Sequence, residues 1–413
     1  LPSLPDGDPA PADGLLPPSV LAGAEDRALS LYVHVPFCSV RCGYCDFNTY
    51  TALELGPDVS QEAYHLDAER EVGFAARVLA SSGLPRRPLH TVFFGGGTPT
   101  RLPAAHLTRI LAVAREEFGL DDGAEITTEA NPDSVTAQDL QVLADGGFTR
   151  VSFGMQSAVP QVLKTLDRTH DPRNVPRAVQ WAKDAGLSVS VDLIYGTPGE
   201  SLADWERSVT EAISYAPDHL SAYSLIVEEG TKMHSQMRRG VVAPIDPDDQ
   251  AEKYELADDL LARAGFTWYE ISNWSRAAQG RTATENRSAH NLAYWHNQDW
   301  WGIGPGAHSH VGGVRWWNRK HPMPYTTAVR AGESPAVGRE TLDDDTRRFE
   351  RIMLETRIAD GLSIGVLDSQ ARQQIAPLVA EGLIDGREAL GGHVVLTLTG
   401  RLLGDAVVRR LVT

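Results

Sequence analysis

The chain has 413 residues, with 38 Lys and Arg against 55 Asp and Glu, so the formal net charge is −17. Hydrophobic residues at 42% and charged residues at 23% are the proportions of an ordinary globular protein, long enough for two or three domains or one large α/β unit with an appendage. This excludes a wholly disordered, collagenous or disulfide-scaffold chain, the acidic balance leaves no basic footprint for nucleic acid, and no apolar run reaches the ~18 residues that would make the chain an integral membrane protein.

Residues 1–28 hold six prolines (Pro2, Pro5, Pro9, Pro11, Pro17, Pro18) and few large apolar residues, which predicts a disordered arm. The first basic residue is Arg27 and no apolar core precedes it, so the start does not read as a secretory signal and a cytoplasmic location is expected. A strand follows at Leu31–Val35, stopped by Pro36. Then come the chain's three cysteines, Cys38, Cys42 and Cys45, all within eight residues. An odd number cannot all pair as disulfides, and in a reducing compartment free thiols are expected.

Beyond this loop the pattern alternates. Strand-like runs at 89–94, 125–128, 150–153, 188–193 and 219–225 are separated by helical patterns at 60–80, 103–118, 136–145, 172–185 and 201–215. About six βα units lie between 30 and 230, fewer than the eight of a complete barrel. Polar and glycine residues cluster just after the strands, at 95–99, 131–132, 156–157 and 196–199, where βα folds place their active sites. The expected fold is therefore α/β, a partial (β/α)6 TIM-like barrel over 29–240. A connecting region (241–340) follows, carrying seven of the nine tryptophans. Residues 341–413 read helix (343–357), helix (366–381), strand pair (383–398) and helix (399–411), a winged-helix-like module.

Cys38-x-x-x-Cys42-x-x-Cys45 brings three thiolates onto one tight turn. Thiolates bind zinc and iron–sulfur clusters. A structural zinc wants four ligands, and the nearest candidate for a fourth is His34. A [4Fe–4S] cube can be held by three thiolates with one iron left open, as catalytic zinc sites leave one position free. On the residues alone a Cys₃His zinc site and inert buried thiols remain the alternatives. Gly95-Gly96-Gly97-Thr98-Pro99 after the second strand allows close backbone approach to a ligand and adds a hydroxyl.

The run from Tyr32 through Cys38, Cys42 and Cys45 to Asn48 resembles the radical S-adenosylmethionine (SAM) superfamily. More narrowly it resembles the branch that contains the oxygen-independent coproporphyrinogen III dehydrogenases and the HemW-type heme chaperones. The resemblance spans about residues 30–410 and implies a [4Fe–4S] cluster on Cys38, Cys42 and Cys45, SAM at its open iron, and reductive cleavage of the sulfonium. It implies that Tyr32, Gly96 and Glu129 contact SAM. Residues at the positions of Tyr44, Gly97, Thr98, Gln156, Arg168, Asp192 and Ala222 surround a second SAM in the dehydrogenase. Keeping them does not decide between one SAM and two, since Arg168 and Asp192 could equally form a structural ion pair.

Two features separate the branches. The dehydrogenase carries a further cysteine where this chain has Phe47. His290-Asn291-Leu292-Ala293-Tyr294-Trp295 matches the His-Asn-x-x-Tyr-Trp signature of the chaperones, whose histidine is linked to heme. Imidazole is a common axial ligand of heme iron, and the aromatics around it would line an apolar slot. The resemblance thus implies a heme chaperone that passes heme to an acceptor protein, respiratory or membrane-associated, and admits a homodimer; the alternative is a dehydrogenase or another radical SAM oxidoreductase. Gly302–His308 lacks the spacing of a dinucleotide fingerprint and is expected to let backbone approach the cofactor cavity.

Overall fold

The structure, a computed structural model, describes residues 7–55 and 60–412. One sheet holds thirteen strands: β1 (Asp8–Pro9), β2 (Leu29–Val35), β3 (Leu89–Gly96), β4 (Leu120–Ala130), β5 (Arg150–Gln156), β6 (Ser188–Tyr195), β7 (His219–Ser224), β8 (Phe266–Glu270), β9 (Asn273–Arg276), β10 (Asp299–Ile303), β11 (His308–Val311), β12 (Val314–Asn318) and β13 (Ala336–Thr341). Their order is β1-β13-β12-β11-β10-β2-β3-β4-β5-β6-β7-β9-β8. From β2 to β7 neighbours are parallel and in chain order, which is the six-unit partial barrel expected. The barrel stays open because β10 adds in parallel to β2, while the hairpin β8–β9 adds antiparallel to β7.

The local reasons are in the sequence. Strands of a parallel sheet are covered on both faces and so read as nearly continuous apolar runs; in β2 only Tyr32 is less than fully buried. The helix Ala104–Phe118 buries Leu107, Ile110, Leu111 and Ala114, a stripe at helical spacing. Each Leu or Ile there contributes about 2 kcal/mol by area burial. Capping boxes at Thr136 with Asp139 and at Ser201 with Asp204 fix where two of the helices start, on the side of the strands' C-terminal ends.

Residues 7–28 correct the expected disordered arm. Asp8–Pro9 pairs with β13, and Leu16, Val20 and Ala24 are buried. Proline density overstated disorder here, because a few apolar anchors suffice where a sheet edge is available; residues 1–6 lie outside the described residues. The C-terminal module has its own core, including Ile352, Leu362, Leu378, Val394, Val407 and Leu411. The strand pair expected at 383–398 is present only as a short antiparallel bridge, Ile384 opposite Leu396, and its connection holds the helix Gly386–Leu390, which Asp385 caps by accepting from the backbone N–H groups of Arg387 and Glu388. His393–Val394 pairs instead with Leu362–Ser363. Among the described residues no helix is long and apolar enough to cross a membrane.

Candidate functional site

The cysteine loop leaves β2 at Pro36 and is pinned on several sides. Cys38 N–H donates to Tyr50 O (3.0 Å), Gly43 N–H to Leu166 O (3.2 Å), and Met233 N–H to Gly43 O (2.8 Å). Behind it, Asn48 Nδ2 donates to the carbonyls of Pro305 (2.9 Å) and Lys320 (2.8 Å). A Cβ on Gly306, whose φ is +75°, would lie 2.4 Å from the Asn48 amide. Gly302–His308 therefore supports the back of the loop. It does not reach the cofactor cavity, which corrects the expectation: β10 lies against β2, so its glycines face the loop's outer side.

Cys38, Cys42 and Cys45 line one cavity with Tyr44, Gly96, Gly97, Thr98, Glu129, Gln156, Arg168 and Asp192. Residues more than a hundred positions apart meet there because most sit toward or just beyond the C-terminal ends of parallel strands, while Arg168 comes from the segment after the helix Pro160–Thr165. Gly96 has φ +107°, and a Cβ would lie 2.5 Å from the His34 ring, so no other residue fits that turn. Gln156 has φ +65° at the bulge that ends β5, a left-handed conformation costing about 1 kcal/mol for a non-glycine residue. That strain sits where the side chain lines the cavity.

The thiol environment fits a multinuclear cationic cluster. Burial and the neighbouring thiols push Cys38 up to about 11, and burial raises Cys45 as well. Three thiolates here are mutually unfavourable without a bound cation, and the site's own cation, Arg168, places Nη1 only 3.6 Å from Cys42 Sγ. The fourth ligand that a structural zinc would need is not supplied by His34: its Nδ1 pairs with Tyr32 OH (2.9 Å) and its Nε2 with Asn48 O (2.9 Å), so it is engaged away from the thiols.

The SAM candidates divide. Gly96, Gly97, Thr98, Arg168, Glu129, Gln156, Asp192 and Tyr44 share the cluster cavity, whereas Tyr32 lines an adjoining chamber. Ala222 lines neither cavity: strand alternation turns Ser221 and Tyr223 toward the chamber and buries Ala222 on the other face. Among the described residues no ion pair joins Arg168 to Asp192. Arg168 Nη2 donates to Gly154 O (2.9 Å), and Asp192 accepts from Ser152 Oγ (2.7 Å). Glu129 accepts from Gly96 N–H (3.1 Å), while burial and then the Asp192 charge push its carboxyl up to about 8. A ligand ammonium is the group that would restore its charge.

The titration has a consequence for stability. Burial raises Glu129 to about 8 and Glu71, Glu200 and Glu270 to about 7. Between the unfolded carboxylate range and these values the folded state binds more protons, so stability falls as pH rises. Burial lowers His34 and His170 to about 4 and His290 to about 3, which adds stability as pH rises only up to their unfolded values near 6.5. The ligand-free chain is therefore expected to lose thermal stability from pH 6.5 to 8.5. Glu129→Gln should flatten that slope in calorimetric scans; a slope that steepens or rises contradicts the assignment.

The adjoining chamber has a volume of about 560 Å³ and shares Tyr44, Phe47, Glu129, Gln156 and Asp192 with the cluster cavity. His290 lines it, buried, on the short helix Ala289–Trp295. Its Nδ1 lies 2.6 Å from Thr91 Oγ1, whose hydroxyl donates to Ser30 (2.9 Å). Thr91 thus accepts from Nδ1–H, which leaves the lone pair on Nε2, 2.9 Å from Tyr294 OH. Phe93 stacks on the imidazole at 5.0 Å.

Sequence reasoning missed what positions this helix. The Glu125 carboxylate, on β4, accepts from the N–H groups of Ala289 and His290 (both 3.1 Å) and from Ser288 Oγ (3.3 Å). Arg150, on β5 and buried, pairs with it at 3.1 Å. The available signal was a charged residue at an inward position of each of two adjacent buried strands.

Residues 32–212 match the model of the radical SAM superfamily. The chain is 44% identical over 392 residues to a Mycobacterium tuberculosis protein named heme chaperone HemW, covering 95% of this chain and 96% of that one. It is 32% identical over 388 residues to the Bacillus subtilis protein of the same name, covering 92% and 97%. Among solved structures, the radical SAM enzyme coproporphyrinogen III oxidase (HemN) of Escherichia coli superposes with a TM-score of 0.77 at 22% identity, over 97% of this chain and 94% of that one. That likeness establishes the fold.

Proposed function

The chain belongs to the HemW heme-chaperone family of radical SAM proteins, and from that premise we propose that it binds heme in the chamber beside the cysteine loop and passes it to an acceptor protein in the cytoplasm. Cys38, Cys42 and Cys45 would hold a [4Fe–4S] cluster, and Glu129 and the Gly96–Thr98 turn would hold SAM. When bound, these groups supply one-electron cleavage of the sulfonium C–S bond. Everything else falls to the chain's own side chains.

The observation that carries the reading is the state of His290. Thr91 fixes the tautomer through Nδ1–H and so directs the Nε2 lone pair toward Tyr294 and the chamber. A second partner that sets which nitrogen is basic is the arrangement a metal-ligating histidine needs. The phenol of Tyr294 occupies that lone pair and would be displaced by iron. Phe47, 57% exposed at the lip of both cavities, puts an apolar ring where the related dehydrogenases carry a cysteine.

The test is an anaerobic hemin titration followed through the Soret band, then mixing with apomyoglobin as acceptor. The wild-type chain should bind hemin and release it to the acceptor, and His290→Ala should bind about tenfold more weakly. Conversion of coproporphyrinogen to protoporphyrinogen with SAM and a reductant would overturn the chaperone reading.

A further inference from the structure

The helix Ala289–Trp295 serves two cavities, not one. His290 and Tyr294, four residues apart, share the face toward the inner chamber. Asn291 and Trp295, likewise four apart, line an outer cleft of about 510 Å³ between the β8–β9 edge and the C-terminal helices Leu398–Leu402 and Gly404–Leu411. The cleft and the chamber share Tyr223, Asn273 and Asn291, so they adjoin.

Their surfaces are unusual for a solvated rim. Tyr223 (45% exposed) and Leu403 (49%) line the cleft, while Ile226 (69%) and Phe47 (57%) line the chamber. Each of the two adjoining hollows thus exposes large apolar side chains to a ligand. In the outer cleft stand Arg357, Arg401 and Arg409. Arg401 is committed to a two-point pair with Asp258 (2.9 and 3.2 Å) and lies over the Trp268 ring at 4.4 Å. Arg409 is exposed and makes no ion pair among the described residues. Arg357 donates from Nη1 to the Met353 carbonyl and pairs through Nη2 with Asp405, whose side chain is 80% exposed and which competes weakly with a ligand. The other acid in the lining, Glu270, is buried and hydrogen-bonded to Asn273.

A mainly apolar inner chamber adjoining a mixed cleft that carries the exposed Arg409 and, beside it, Arg357 in an exposed ion pair is complementary to a flat, apolar molecule with carboxylates on one edge. The geometry points to the outer cleft as the seat of the tetrapyrrole's two carboxylates, held by Arg357 and Arg409, with the macrocycle lying over Tyr223 toward the inner chamber. This rests on the heme reading and adds to it an orientation and a task for the C-terminal module: the module supplies the carboxylate clamp while the barrel supplies the iron ligand. Arginine suits the task because its planar fork meets a carboxylate in two parallel hydrogen bonds.

The test compares hemin with its dimethyl ester, in which both carboxylates are masked. The full-length wild-type chain should bind hemin about ten- to a hundredfold more tightly than the ester. Arg409→Ala and Arg357→Ala should each weaken hemin by about three- to tenfold and leave the ester unchanged, with the double variant erasing the preference. Arg409 is exposed and alanine favours its helix, so that variant reads the contact and not the fold. Equal affinity of the wild type for hemin and ester, or unchanged hemin binding in the double variant, overturns the clamp while the heme reading stands. If the wild type binds neither ligand, both readings fall.

Discussion

Glu125→Ala is expected to cost about 3–5 kcal/mol of folding stability and to weaken hemin binding by about tenfold. The carboxylate does three things at once. It neutralises Arg150, which is 2% exposed, it accepts from two backbone N–H groups at the start of the helix that carries His290, and it holds the Ser288 hydroxyl. Alanine strands the guanidinium in the barrel interior; Nη2 keeps its bonds to the carbonyls of Asn286 and Arg287, but Nε and Nη1 already lack partners. It also removes a negative charge from a helix N-terminus, where the helix dipole favours one. Glu125→Gln keeps an acceptor oxygen and should lose less stability than alanine. Urea unfolding reads the first effect and a Soret titration the second; a wild-type midpoint for Glu125→Ala would show that the pair does not hold this helix.

The second large effect is expected at the cysteine loop. Cys42→Ala should take the anaerobically prepared protein from about four iron and four sulfide per chain to none, since two thiolates do not retain a cube. The fold should persist, because the loop is anchored by Cys38 N–H, Gly43 and Asn48 and the core beneath it is apolar. Unchanged far-ultraviolet circular dichroism with complete loss of the brown chromophore is the predicted pair of readouts. Full retention of iron would mean that another residue serves as ligand.

How far the site could be read from the sequence depended on how local each part is. The cysteine spacing and the glycine turn are encoded within a few residues, and Cys38, Cys42, Cys45, Gly96, Gly97 and Thr98 do share one cavity. The barrel was legible because six apolar runs alternate with amphipathic helices. Contacts between distant strands were not. Glu125 and Arg150 are unremarkable in their own segments and meet only through the parallel register of β4 and β5. The hydrogen bond of Thr91 to His290 joins residues 199 positions apart. Ala222, which the resemblance alone brings forward, lines neither cavity, because alternation along β7 turns Ser221 and Tyr223 to the chamber instead. The N-terminal segment is illegible for a related reason: its few apolar residues are buried against distant parts of the chain, as Val20 against Gly312 in the β11–β12 turn and Gly14 against Phe74 and Val78 illustrate.

Cys38, Cys42 and Cys45 would hold a [4Fe–4S] cluster in the cavity they share with Glu129 and Gln156, where it would supply an iron site for SAM. Electron paramagnetic resonance of the anaerobically reduced protein, recorded with and without SAM, tests this most directly. The signal of a reduced [4Fe–4S] centre that changes shape when SAM is added is the predicted result. Reconstituted protein that contains zinc without inorganic sulfide, or a cluster signal indifferent to SAM, would contradict it.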